Sequence, residues 1–312
     1  MISTQDTKQG TALGYIALLF WACSALFASS VTRIPTFEVL SVAFSISFGA
    51  TVLVLTLRKQ WHQIKQPLIL WIIGMIGVYG NDALFIAAFK YAPAAQVDLI
   101  NYLWPIFVIL LAGLLPQEKI SPKHLAGALL GLCGTALVIL HQTGPHSVYA
   151  HYVYGYMLAL CDAVVWSIYT ITARYYKNVP STMIGMYCGC GLVLSLIAHF
   201  TFEPTIKPHL NELLIMITFG LTSQGSAYFL WDYGVKNGNF KLLSVLSYLN
   251  PIISIALLIA CGKSQYSDVL IVATLLIASG GALCSLDISA WASQGKRHLT
   301  RLTRHFTNVT RH

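Results

Sequence analysis

Seven stretches of this chain, 11–32, 39–57, 99–117, 125–161, 178–202, 213–231 and 242–262, contain no Asp, Glu, Lys or Arg. A helix that crosses a bilayer needs about 20 mostly apolar residues, so these runs constrain the fold more than any other feature. The composition agrees, since 56% hydrophobic against 10% charged residues lies far from a water-soluble domain. The chain therefore reads as an all-α polytopic membrane protein. In 312 residues, ten spans joined by short loops leave no room for a soluble catalytic domain. Function must reside within the bundle.

Charges, prolines and glycines delimit ten transmembrane helices, near 11–31, 37–57, 68–89, 93–115, 122–141, 152–173, 181–201, 211–233, 241–261 and 267–287. No small-residue cleavage site follows the first apolar run, so that run is expected to stay as a helix. Fifteen of the 19 Lys and Arg fall on one side of this arrangement, while Arg33, Lys90, Lys207 and Lys263 fall on the other. The positive-inside rule makes the richer side cytoplasmic, and with it both termini. The organisation expected is a cytoplasmic N-terminus over 1–10, five helices over 11–141, an external loop at 142–151, five helices over 152–287 and a basic cytoplasmic tail over 288–312.

The net charge of +8 marks topology and tail, where five of the basic residues lie, and not a nucleic-acid surface. In the tail, Leu299, Leu302, Phe306 and Val309 recur at helical spacing among arginines, which suits either an amphipathic helix on anionic lipid or a disordered basic segment. Asn308-Val309-Thr310 is a formal glycosylation acceptor on the wrong side of the membrane for that modification. All seven cysteines sit in apolar runs without a Cys-x-x-Cys pair and read as packing residues, so neither metal nor cofactor is implied. His141, His146 and His151 cluster where the external loop is expected and read as solvated. The chain contains no His-Glu-x-x-His, Gly-x-Ser-x-Gly or Walker A pattern, so an enzyme is not expected.

The sequence also repeats itself. At an offset of 145, Gly10 meets Gly155, Trp21 meets Trp166 and Pro35 meets Pro180. At 146, Lys90 meets Lys236, Tyr102-Leu103 meets Tyr248-Leu249, Pro105-Ile106 meets Pro251-Ile252, and Gly134 meets Gly280. Each copy holds five spans, an odd number, so the second enters the membrane upside down. Inverted repeats of this kind belong to secondary transporters, whose halves exchange conformations around a central site. Enzymes and receptors have no need of such symmetry. Pro105 and Pro251 stand inside spans at equivalent positions, where each removes one backbone hydrogen bond.

Three carboxylates lie clear of the span ends, Asp82, Asp98 and Asp162, with no Lys or Arg at comparable depth. A carboxylate in hydrocarbon must face a cavity, pair or take up a proton, so these residues are candidates for holding a substrate ammonium or a coupling proton. Trp166 and Tyr169 follow Asp162 at i+4 and i+7 on one helix face; Tyr79 and Asp82 are three apart, as are Asn101 and Trp104. Trp21, Tyr79, Asp82, Asn101, Tyr102, Trp104, Asp162, Trp166, Tyr169 and Tyr248 form the expected substrate site. A ring of Trp and Tyr with a few carboxylates suits a flat or cationic ligand. Trp61, Trp71 and Trp291 read as interface anchors, and the Gly-x-x-x-Gly pairs Gly10/Gly14, Gly127/Gly131 and Gly185/Gly189 as close helix contacts.

The ten spans, the two five-helix copies, Trp21 and the stretch Val97-Asp98-Leu99-Ile100-Asn101-Tyr102-Leu103-Trp104-Pro105 resemble the drug/metabolite transporter superfamily of the EamA type, nearest to its aromatic amino acid exporters. The resemblance covers 10–287, and Asn101 to Pro105 is its most specific piece. It implies a monomeric ten-helix basket in the bacterial inner membrane, with a central cavity and export of amino acids or related metabolites. One departure concerns the substrate: the aromatic exporters tend to carry a larger aromatic beside the third-span acid, where this chain has Asn81. The expected function is thus secondary export of small metabolites, amino acids first and aromatic ones among them, with cationic drugs or other metabolites as the alternative within transport. An intramembrane enzyme or a receptor remains the alternative outside it.

Overall fold

The computed structural model describes residues 4–112, 122–140, 146–175, 179–239, 242–243 and 246–283. The basic tail, the acceptor at Asn308, His141, Trp291, Cys284 and the 113–121 segment fall outside them. Among the described residues every regular element is helical. The helices are α1 (Thr4–Ala22), α2 (Ser24–Ser30), α3 (Thr36–Leu57), α4 (Leu68–Gly74), α5 (Asn81–Tyr91), α6 (Ala94–Asn101) and α7 (Trp104–Ala112), continuing with α8 (Pro122–Leu140), α9 (His146–Tyr175), α10 (Thr182–Phe202), α11 (Leu210–Leu221), α12 (Ala227–Asn237), α13 (Asn250–Ala260) and α14 (Asp268–Leu283). Among the described residues, seven helical segments of 19–25 residues are long and apolar enough to cross a bilayer. Large apolar side chains such as Leu140 (82% exposed) and Phe200 (76%) point away from the bundle, as lipid-facing residues do.

Several spans expected to be continuous helices are interrupted or distorted. The fourth, expected over 93–115, stops at Asn101 and restarts at Trp104, because Pro105 has no N–H and its ring excludes the carbonyl a turn earlier. The ninth has a 3₁₀ turn at Ser247–Leu249 before α13 starts, with Pro251 in its first turn. The first pauses at Cys23 between α1 and α2. The third and eighth stay helical but widen into π turns at Met75–Gly80 and Thr222–Ser226. The sixth begins earlier than expected: α9 starts at His146, inside the segment read as loop.

The glycines do what their spacing suggested. Gly10 and Gly14 of α1 cross Gly234 and Gly238 at backbone contact, Gly127 and Gly131 of α8 face Gly280 of α14, and Gly185 and Gly189 of α10 receive Thr51 and Phe48 of α3. The buried core between these crossings is built from Leu40, Phe44, Ile86, Leu99, Phe219 and Ile255, among others.

At the Arg33 end, α3 and α10 are tied by groups that satisfy each other's orphan amides. The Glu203 carboxylate, one residue beyond α10, accepts from Phe37 N–H in the first turn of α3 (3.1 Å). Glu38 accepts from Ile206 N–H (3.1 Å), and His199 sits between, 3.1 Å from Glu203 and 3.9 Å from Glu38. Pro35 precedes α3 and cannot supply a side-chain cap, so Glu203 does so from another helix. Glu203→Ala should therefore destabilise the protein by about 1–3 kcal/mol, read as a lower melting midpoint in detergent. Glu203→Gln keeps the accepting oxygen and should lose less; equal losses would mean that Glu203 acts through its charge alone.

Candidate functional site

A cavity of about 90 Å³ opens where α1, α2, α5, α6, α7, α9, the Thr222–Ser226 turn, α12, α13 and α14 converge. At roughly 10–15 Å³ per water centre it has room for several waters or a small solute. Its aromatic wall is Trp21, Trp166 and Tyr228, with ring centroids 6.1 Å apart for Trp21–Trp166, 5.7 Å for Trp21–Tyr228 and 5.5 Å for Trp166–Tyr228. Edge-on and tilted contacts of this kind are the favourable ones for aromatic quadrupoles. Trp21 is fixed by donating Nε1–H to Ser223 O (3.2 Å), and Ser223 in turn donates its hydroxyl to Phe20 O (2.7 Å).

Asp82 follows the first π turn and is 1% exposed. Its Oδ1 accepts from Tyr228 Oη–H (3.0 Å) and Asn81 Nδ2–H (3.2 Å), while Oδ2 has no hydrogen-bond partner. Asp98, 2% exposed on α6, likewise leaves Oδ2 without a partner. Both carboxylates line the cavity, and no Lys, Arg or His does among the described residues. Nor do three His, Cys, Asp or Glu side chains approach closely enough to share a metal ion among those residues.

The two π turns stand at equivalent places in the two copies, and the residues just beyond them meet at the cavity. Tyr228 lies 146 residues after Asp82, the repeat offset, so a carboxylate from one copy is hydrogen-bonded by its counterpart in the other. Trp21 and Trp166, also repeat mates, touch. In the second π turn the carbonyls accept from other helices, Ser223 O from Trp21 and Gln224 O from Ser47 (3.0 Å). A π turn spaces successive side chains differently from an α turn and is often kept at functional sites.

Of the ten residues expected at the site, Trp21, Asp82, Asn101, Tyr102, Trp104, Trp166 and Tyr248 line the cavity. Three do not. Asp162 is fully buried behind the wall, where the Asn101 amide donates to its Oδ2 in a close hydrogen bond and Oδ1 has no partner. Its helix face carries it toward α6, so that it orients Asn101 and does not itself face the cavity. Tyr79 packs on Phe44 (6.1 Å) beside Gly191, because the π turn rotates it off the Asp82 face. Tyr169 lies against Gly77 and 5.4 Å from Trp166, behind that indole. Sequence reasoning missed Tyr228, Asn81, Gln224 and Asn250, which also line the cavity. The repeat offset applied to Asp82 leads to Tyr228.

Comparison with known proteins gives a consistent picture. The model of the EamA-like transporter family matches the chain twice, over residues 8–140 and 153–286. The aromatic amino acid exporter YddG of Ancylobacter novellus is 35% identical over 281 residues, which covers 89% of this chain and 98% of that protein. The exporter of the same name from Escherichia coli is 25% identical over 292 residues, covering 89% and 97%. A solved crystal structure superposes with a TM-score of 0.70 at 34% identity, over 89% of this chain and 97% of that one.

Proposed function

The chain belongs to the EamA-like transporter family, and from that premise we propose that it is a secondary transporter exporting small metabolites, amino acids first and aromatic ones among them, by alternating access between two inverted five-helix repeats. The observation that carries this reading is the meeting of repeat mates around one cavity, Trp21 with Trp166 and Asp82 with Tyr228. The packing supports it as well. Helix α1 lies against α12 through Gly10 with Gly234 and Gly238, and α9 lies against α5 through Gly155 with Ala88 and Ala92, which are the same positions shifted by the repeat. In an inverted repeat two such equivalent crossings would lie at opposite ends of the bundle, an arrangement suited to exchange of inward- and outward-open states.

In this reading the repeats span 11–141 and 152–287, the protein lies in the bacterial inner membrane as a monomer with both termini cytoplasmic, and protons are the candidate coupling ion. The aromatic amino acid exporters among its relatives support the substrate class, as does an aromatic wall beside two carboxylates.

The test is counterflow of labelled phenylalanine, tyrosine and tryptophan into proteoliposomes holding the purified chain. Accumulation of at least one is expected. Trp104→Ala and Trp166→Ala should each slow it roughly 2- to 10-fold, from the 0.5–1.5 kcal/mol of an aromatic contact, while folded yield is maintained. No counterflow of any of the three overturns aromatic export; wild-type rates in both variants overturn the cavity as the route.

A further inference from the structure

The charged groups of the cavity are carboxylates, and its donors are neutral ones, among them the Trp104 and Trp166 indoles, the Tyr102 and Tyr248 hydroxyls and the Gln224 amide. Asp82 and Asp98, 1% and 2% exposed, each present a carboxylate oxygen that makes no well-formed hydrogen bond to the protein, with the Gln224 amide near the first and the Ser254 hydroxyl near the second. Leaving a buried charged oxygen without a donor is costly, and the remedy nearest to hand is a donor brought by the ligand. No Lys, Arg or His lines the cavity among the described residues. The Asn101 amide donates to Asp162, the Asn250 amide to Leu18 O (3.1 Å), the Asn81 amide to Asp82 and the Trp21 indole to Ser223 O.

A broken helix can hold an anion with its first free amides, but α7 is ill equipped to do so. Pro105 has no N–H, and those of Ile106 and Phe107 both bond to Leu103 O (3.0 and 3.1 Å). A zwitterion therefore gains at its ammonium and loses at its carboxylate, which is stripped of water beside two acidic side chains and meets only neutral donors. The aromatic wall favours a ring, and its faces add attraction for a cation.

We propose that this cavity selects its ligand through the ammonium group, received by Asp82 and Asp98, and that aromatic monoamines without a carboxylate are the class it binds most tightly. The proposal rests on the reading of the cavity as the transport site and narrows its substrate class.

The test is titration calorimetry on the purified full chain in detergent with four ligands: phenethylamine, phenylalanine amide, phenylalanine and 3-phenylpropionate. Phenethylamine and the amide should bind at least tenfold more tightly than phenylalanine, and 3-phenylpropionate should show no binding. Asp98→Asn should weaken phenethylamine at least tenfold; the four-ligand order on the unaltered protein decides the matter even where that variant misfolds. Phenylalanine binding as tightly as phenethylamine, measurable binding of 3-phenylpropionate, or no binding of any ligand overturns the proposal. The expected order together with an absence of phenylalanine counterflow would uphold it and remove aromatic amino acid export instead.

Discussion

Asp82→Asn is expected to reduce transport of ammonium-bearing substrates by roughly 10- to 100-fold at sub-saturating concentration, the worth of one charge-assisted hydrogen bond of about 1.5–3 kcal/mol. The substitution keeps size and shape. The amide oxygen can still accept from Tyr228 Oη–H, which holds the side chain 3.0 Å from that phenol in the native protein. What it removes is the charge on Oδ2, the oxygen that has no partner of its own. The fold should therefore survive while binding suffers, and the readout is the initial rate of proteoliposome counterflow beside a melting midpoint that moves little. Asp162→Asn is the instructive contrast. Asp162 sits behind the wall and holds Asn101, so its neutral variant should show its main effect in stability, with a smaller loss of rate. Equal losses of transport from the two would place Asp162 in contact with substrate. Wild-type rates and an unchanged pH profile in both would make the two carboxylates structural and facilitated diffusion the better account.

The contrast between these aspartates shows how far the sequence could be read. Hydropathy and charge are sums over many residues, so the helical membrane fold was legible. The sequence repeat rests on spacing as well, since Trp21 and Trp166 or Pro105 and Pro251 keep a nearly constant offset. Which face of a helix meets the cavity depends instead on the turn count between residues, and a π turn changes that count. Tyr79 and Asp82, three apart, share a face on an ideal α-helix, yet Tyr79 lies within Met75–Gly80 and Asp82 beyond it, so only Asp82 lines the cavity. No residue in Met75–Gly80 announces a π turn. Similarly, α9 carries Asp162, Trp166 and Tyr169 on one side, but the neighbouring α6 covers Asp162 and leaves Trp166 at the wall. Coverage by a partner helix is a property of the packed bundle, and one chain's periodicity does not hold it.

The same packed bundle should respond sharply to a single methyl group. At Gly234 an added Cβ would stand 2.7 Å from Gly14 Cα, 2.9 Å from Gly10 O and 3.0 Å from Gly14 N. All three are backbone atoms of α1, so no side chain can swing aside, and α1 and α12 must part. The counterpart crossing of α9 on α5 is already wider in composition, with Ala88 and Ala92 facing Gly155 where the first crossing has Gly234 and Gly238 facing Gly10. Overpacking of this kind costs about 1–3 kcal/mol, and only the conformation in which these backbones touch bears it. Gly234→Ala should thus depopulate that conformation by roughly 5- to 100-fold relative to its alternative, and transport should fall by a similar factor if both are visited in each cycle. Gly49→Ala is the control, since nothing stands within 4 Å of a Cβ there and its helix position is exposed. The measurement pairs counterflow rates with the reactivity of a cysteine placed on the α1 face of this crossing. Increased reactivity with decreased transport in Gly234→Ala, and neither change in Gly49→Ala, is the expected result. Unaltered transport in Gly234→Ala would mean that the α1–α12 contact is not part of the cycle, and the pairing of the two crossings would then be architecture without a role in alternation.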